Sequence, residues 1–151
     1  MPRPERIVVA VGLPGSGKSA YFERLGVNSI SSDAIRLQLA DDATVQTIHE
    51  QVFEVVRYLL RQRLALGRPV SYIDATNLSL KERRPYLDIA AKYDCGIEAI
   101  FFDVPLAVCK ARNAVRGRVV PAQAMDQMAA KLVPPSTAEG FDTVQVVRPS
   151  D

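Results

Sequence analysis

The sequence predicts an α/β domain: a five-stranded, mainly parallel sheet with helices on both faces and a helical lid. Three observations predict it. Short apolar runs alternate with segments of helical period along the whole chain. The first run, Ile7-Val8-Val9-Ala10-Val11, is continuously apolar, as expected of a strand buried on both faces of a parallel sheet. A glycine-rich turn follows that run directly, where a phosphate-binding loop would lie.

The elements follow in order. Residues 1–6 read as a polar lead-in, and residues 7–11 as the first strand. After the glycine turn a short helix ends near Gly26, and residues 28–31 form a second strand. A helix is expected over residues 33–39. A longer one is expected over 43–66, where Val45, Ile48, Val52, Val55, Val56, Leu59, Leu60 and Leu64 recur at three- and four-residue steps. Gly67 and Pro69 stop it, and residues 70–75 form the third strand. Ser79-Leu80-Lys81-Glu82 fits a capping box opening a helix to about Tyr93. Residues 97–104 form a fourth strand, and Pro105 suits the first turn of a helix to about Gly117. A helix over 122–132 and a strand over 143–147 complete the chain.

Composition sets bounds. The 151 residues suit a single domain spanning 1–151. Hydrophobic residues at 48% and charged residues at 24% are ordinary for a soluble globular chain. A net charge of +2 neither demands nor excludes a nucleic acid partner. Cys95 and Cys109 fit no CxxC or zinc spacing and read as small apolar residues in or near the core. The apolar run over residues 7–13 is too short to span a membrane or to serve as a signal peptide, so the expected location is cytoplasmic.

Gly12-Leu13-Pro14-Gly15-Ser16-Gly17-Lys18-Ser19 satisfies the pattern G-x-x-x-x-G-K-[ST] completely, between a strand and a helix. Glycines let the backbone curl around phosphate oxygens, and the following helix N-terminus adds partial positive charge. Gly12, Gly15, Ser16 and Gly17 are thus candidates for ATP binding. Lys18 is expected to reach the β- and γ-phosphates, and the Ser19 hydroxyl to ligate Mg²⁺. Position 20 is Ala, so the second hydroxyl that many such loops carry there is absent.

Asp74 ends the third apolar run, where a carboxylate supports Mg²⁺ directly or through water. Ala75 follows, not the glutamate that activates water in many ATP-driven motors, so group transfer is expected over hydrolysis coupled to motion. Asp33 lies at the carboxyl end of the second strand, where it can take a proton from an attacking hydroxyl. Arg36, three residues on, can grip a substrate phosphate. On spacing alone Asp33 is equally a helix N-cap and Arg36 a solvated helix residue. Residues 110–118 carry Lys110, Arg112, Arg116 and Arg118 and no acid. That run is either a solvated basic face or a lid whose arginines neutralise a transferring group.

The ordered set resembles the P-loop polynucleotide kinase family, and with it the P-loop kinase fold. It comprises the loop 12–19, Ser32-Asp33-Ala34-Ile35-Arg36, Asp74-Ala75-Thr76-Asn77, Arg112-Asn113 with Arg116-Gly117, and Pro135-Ser136-Thr137-Ala138-Glu139-Gly140-Phe141. The resemblance implies catalytic roles for Lys18, Asp33 and Arg116, with Asp33 the general base on a 5′-hydroxyl and Arg116 on the transferring phosphate. It implies that Arg112 lies on the nucleotide side of the lid and that Arg36 contacts the phosphate next to the acceptor nucleoside. Asp74 and Asn77 would border the metal or acceptor region. The implied activity is ATP-dependent, Mg²⁺-assisted transfer to an RNA or DNA 5′ end. Ser32 departs from the family, which often carries a basic residue there.

Two other functions compete. A small-molecule kinase for a nucleoside or sugar would use the same machinery, and a regulatory nucleotide-binding module would not need Asp33, Arg36 and Arg116. His49, the single histidine, reads as a structural helix residue, and the scattered tyrosines form no stripe for base stacking. Arg57, Arg61, Arg63 and Arg68, and the group Lys81, Arg83 and Arg84, read as solvated faces that can also guide a nucleic acid backbone.

Overall fold

The computed structural model describes residues 5–115 and 120–149. β1 (Arg6–Val11) leads through a loop to α1 (Lys18–Leu25), then to β2 (Ser29–Ser31), α2 (Ser32–Ala40) and α3 (His49–Ala65). β3 (Val70–Asp74), α4 (Leu80–Tyr93), β4 (Gly96–Phe102), α5 (Leu106–Ala114), α6 (Ala122–Lys131) and β5 (Thr143–Val147) follow. The strands form one five-stranded sheet in the order β2-β3-β1-β4-β5, and every pairing is parallel.

The two faces of β1 divide its apolar run by alternation. Ile7, Val9 and Val11 pack with Val52, Val56, Leu60 and Leu64 of α3 and with Tyr86, Ile89 and Ala90 of α4. Val8 and Ala10 face the other way, with Phe22 of α1, Ile100 and Phe102. A third cluster, Leu13, Leu78, Val104, Cys109 and Met125, seats α5 and α6 against the loops at the carboxyl ends of β1 and β3. Both cysteines are buried, as their apolar reading implies.

From β1 the chain moves to the β2 edge, whereas from β3 it moves across to β4. Neighbouring strands β1 and β3 therefore send their connections to opposite sides. That divergence opens a crevice beyond their carboxyl ends, the standard ligand position in open α/β sheets.

The long central helix starts later than its apolar pattern suggests, at His49 instead of residue 43. Asp41 ends α2 in the left-handed region at φ 60. The Asp42 carboxylate then accepts from the Thr44 N–H at 2.9 Å and the Thr44 hydroxyl at 2.6 Å. This local bonding competes with helix and keeps the connecting segment turned outward. Ser79 caps α4 by accepting from the Glu82 N–H at 3.2 Å, but the Glu82 carboxylate accepts from Leu78 N–H at 3.0 Å, one residue before the cap. The box is thus displaced by one position. No helix among the described residues is long and apolar enough to cross a membrane.

Candidate active site

The loop after β1 owes its shape to glycine. Gly15 and Gly17 lie at φ 83 and φ 98. A Cβ on Gly15 would sit 2.6 Å from the Cys109 carbonyl oxygen, so this residue also sets how closely α5 approaches. Lys18, the first residue of α1, folds back over the loop. Its Nζ donates to the carbonyls of Gly12 at 2.9 Å and Leu13 at 2.8 Å, and to Ser16 Oγ at 3.4 Å.

Across the β1–β3 crevice, the Ser19 hydroxyl donates to Asp74 Oδ2 at 2.7 Å. Asp74 is the last residue of β3 and is buried. Among the described residues no cluster of three or more His, Cys, Asp or Glu forms a metal cage. A hydroxyl and one carboxylate are nonetheless the donor set that suits Mg²⁺, which takes few protein ligands and completes its shell with phosphate and water. The residues present therefore fit that ion.

The segment after Asp74 is stitched to β1. The Gly12 N–H donates to the Thr76 carbonyl at 3.0 Å, and Asn77 Nδ2 donates to the Ala10 carbonyl at 2.7 Å. Asn77 adopts φ 47, is buried, and lies outside the cavity lining. Asn77 thus ties the segment after β3 to β1. Its Oδ1 is buried and accepts no hydrogen bond among the described residues.

Asp33 and Arg36 share the cleft with the phosphate loop. Ser31 caps α2, accepting from the Ala34 N–H at 3.2 Å, so Asp33 is not the cap and its side chain lines the cavity. Ser32 is buried, and its hydroxyl donates to the Asp74 carbonyl at 3.5 Å, tying the start of α2 to the end of β3. Arg36 is 5% exposed, and its Nη1 donates to the Val45 carbonyl at 3.1 Å. The cavity holds about 790 Å³ and is lined by Lys18, Ser19, Asp33, Arg36, Asp74 and Arg112, among others.

The roof is the α5–α6 pair. Arg112 Nη1 donates to the Gly15 carbonyl at 3.4 Å. Asn113 is buried, donating to the Val120 carbonyl at 2.7 Å and accepting from the Val120 N–H at 3.1 Å. It thereby ties α5 to the start of α6. Lys110 pairs with Asp126 at 2.6 Å across the two helices. Arg116 lies outside the described residues.

Residues 7–135 match the AAA domain family AAA_33. The chain belongs to that family. It is 25% identical over 143 residues to the L-seryl-tRNA(Sec) kinase of Methanococcus maripaludis, covering 90% of this chain and 56% of that protein. The chain thus spans little more than half the length of this relative. Its fold is similar to a chain of the Pnkp1/Rnl/Hen1 RNA repair complex, with TM-score 0.73 and 24% identity over 87% of this chain and 45% of that one. It is also similar to a gluconokinase from Sinorhizobium meliloti 1021, with TM-score 0.61 and 21% identity over 100% of this chain and 86% of that one. The AAA_33 domain described here therefore has the P-loop kinase fold.

Three features of this AAA_33 domain escaped sequence reasoning. His49 lines the cavity and is not a remote helix residue; Thr44, Gln46 and Phe53 line it too. Burial, then the Arg36 cation, holds the His49 imidazole below the ordinary histidine value, with Lys131 acting the same way and Glu82 and Glu50 opposing. Arg83 is not on a solvated face: it is fully buried and paired with Glu139. Arg63 is likewise tied down, donating to Ser71 Oγ at 2.9 Å and the Val70 carbonyl at 2.8 Å. The Cys109 thiol is pushed up by burial, opposed by Lys18 and Arg112, and its Sγ lies 3.7 Å from the Val104 carbonyl, a packing role.

Proposed function

We propose that this domain transfers the γ-phosphoryl group of ATP to a 5′-hydroxyl end of RNA or DNA. One observation carries the reading: a carboxylate, Asp33, and a buried guanidinium, Arg36, line the same cavity as the phosphate loop and the Ser19–Asp74 pair. A nucleotide-binding module with no acceptor has no need of that second set. The tRNA kinase and the RNA repair complex among its relatives support an RNA-like acceptor.

In this reading Gly12, Gly15, Ser16 and Gly17 shape the phosphate cradle, and Lys18 neutralises the β- and γ-phosphates. Ser19 and Asp74 would hold Mg²⁺, which supplies charge neutralisation at the phosphates. Asp33 accepts the proton of the acceptor hydroxyl as its oxygen bonds to the γ-phosphorus. The bond from that phosphorus to the β–γ bridging oxygen breaks, and ADP leaves with the electron pair. Arg36 orients the acceptor through its neighbouring phosphate, and Arg112 and Arg116 act from the lid on donor and transferring group.

The test is transfer from γ-labelled ATP with Mg²⁺ to 5′-hydroxyl RNA and DNA oligonucleotides, with gluconate and nucleosides in parallel. Label on an oligonucleotide 5′ end, lost in Asp33→Ala while ATP binding remains, is the expected outcome. Label confined to a small molecule would assign the domain to another acceptor class.

A further inference from the structure

We propose that the first turn and a half of α3 is a nucleobase platform, on which His49 and Phe53 stack the base of the acceptor's terminal nucleotide. The inference rests on the polynucleotide reading above and names what selects the acceptor at that site.

His49 and Phe53 are four residues apart on one helix and line the cavity together. Their ring centroids lie 4.6 Å apart, with planes inclined at 42°. Phe53 is half-buried and packs against the main core behind it, which fixes the ring while leaving part of it open to the cleft. Its neighbours Val52 and Val56 are completely buried. The core is therefore closed without the cleft-side surface of Phe53.

The surroundings suit a nucleotide. Arg36, on the same wall, supplies a fixed positive charge, as a phosphate requires. Gln46 and Thr44 also line the cavity, and their side chains are exposed. Among the described residues the Gln46 amide N–H donates only a long bond of 3.3 Å, to the Thr44 carbonyl, so it can turn toward a base edge. Planar rings beside a phosphate-binding cation and an amide form the chemistry that holds a nucleotide, because every base offers a π-face. Partial desolvation and the Arg36 cation both lower the imidazole's affinity for a proton, which favours the neutral ring for stacking.

The experiment compares two 5′-hydroxyl oligonucleotides that differ only in whether the terminal residue carries a base or is abasic. Wild-type protein is expected to show a KM about tenfold lower for the base-bearing acceptor, with similar kcat. The KM ratio should collapse toward one in Phe53→Leu and in His49→Gln, and persist in Phe53→Tyr, which keeps an aromatic face. Equal KM values in the wild type, or a ratio unchanged in Phe53→Leu, would overturn the platform while leaving polynucleotide transfer intact. Absence of transfer to either oligonucleotide would overturn both.

Discussion

Arg83 grips both carboxylate oxygens of Glu139, through Nε at 2.8 Å and Nη2 at 3.0 Å. The remaining terminal nitrogen, Nη1, donates to the carbonyls of Asn77 and Leu78 at 3.0 Å each and of Val133 at 2.9 Å. One buried side chain thus joins the segment after β3, the chain leaving α6, and the 3-10 turn Thr137–Glu139. Glu139 Oε2 also accepts from the Ser136 N–H at 3.1 Å, completing that turn's capping box.

Breaking this pair from one side leaves a buried charge without its partner. Glu139→Ala is expected to destabilise the fold by about 3–5 kcal/mol, read as a lower urea midpoint at unchanged slope. The double variant Arg83→Met/Glu139→Leu should recover only part of that loss, because the carbonyls of Asn77 and Val133 then lose the Arg83 donor, while that of Leu78 keeps the Val133 N–H. A double variant as stable as wild type would mean those carbonyl bonds contribute nothing.

The Ser19–Asp74 hydrogen bond predicts a metal-linked phenotype. Asp74→Asn keeps the size and removes the charge. Transfer should fall by about 10²–10³-fold, and half-maximal activity should require more Mg²⁺. Titrating Mg²⁺ against initial rate checks this. A variant with the wild-type Mg²⁺ dependence would remove Asp74 from the metal site.

His49 predicts a pH dependence of stability. Its folded value is lowered, so on acidification the unfolded chain takes up the proton first. The stability associated with the neutral ring is fully present above about pH 6.5, and it is lost as pH falls from there toward the lowered folded value. The Tm of wild type minus that of His49→Gln should be flat between pH 7 and 8 and drift against wild type toward pH 5. A difference constant across the whole range would place the imidazole in equivalent surroundings folded and unfolded.

What was legible in the sequence is what is local. The β-branched run of β1, the glycines that follow it and the carboxylate closing β3 carry their meaning within a few residues, and all lie where expected. The run 135–141 was visible as a pattern, but its reason was not. Glu139 meets Arg83 across a sequence distance of 56 residues, and an arginine in a basic cluster gives no local sign of burial. The start of α3 was hidden for a different reason. Val45 and Ile48 extend the helical period, but the Asp42–Thr44 bonds that divert the backbone compete at the same level as propensity. With α3 drawn too long, His49 became a mid-helix residue, although it stands at the first turn facing the cleft.

That diverted turn separates two styles of construction within one cleft. The phosphate-loop side is backbone curvature and strand ends, with Gly12, Ser19 and Asp74 tied to the ends of β1 and β3 by hydrogen bonds. The rim of the opposite wall, with Thr44 and Gln46, is a short surface segment. It is held by Asp42 internally and by the Arg36–Val45 bond at its middle. The phosphate loop is shaped by the sheet and the mouth opposite it by a surface turn, and that inequality is built into where α3 begins.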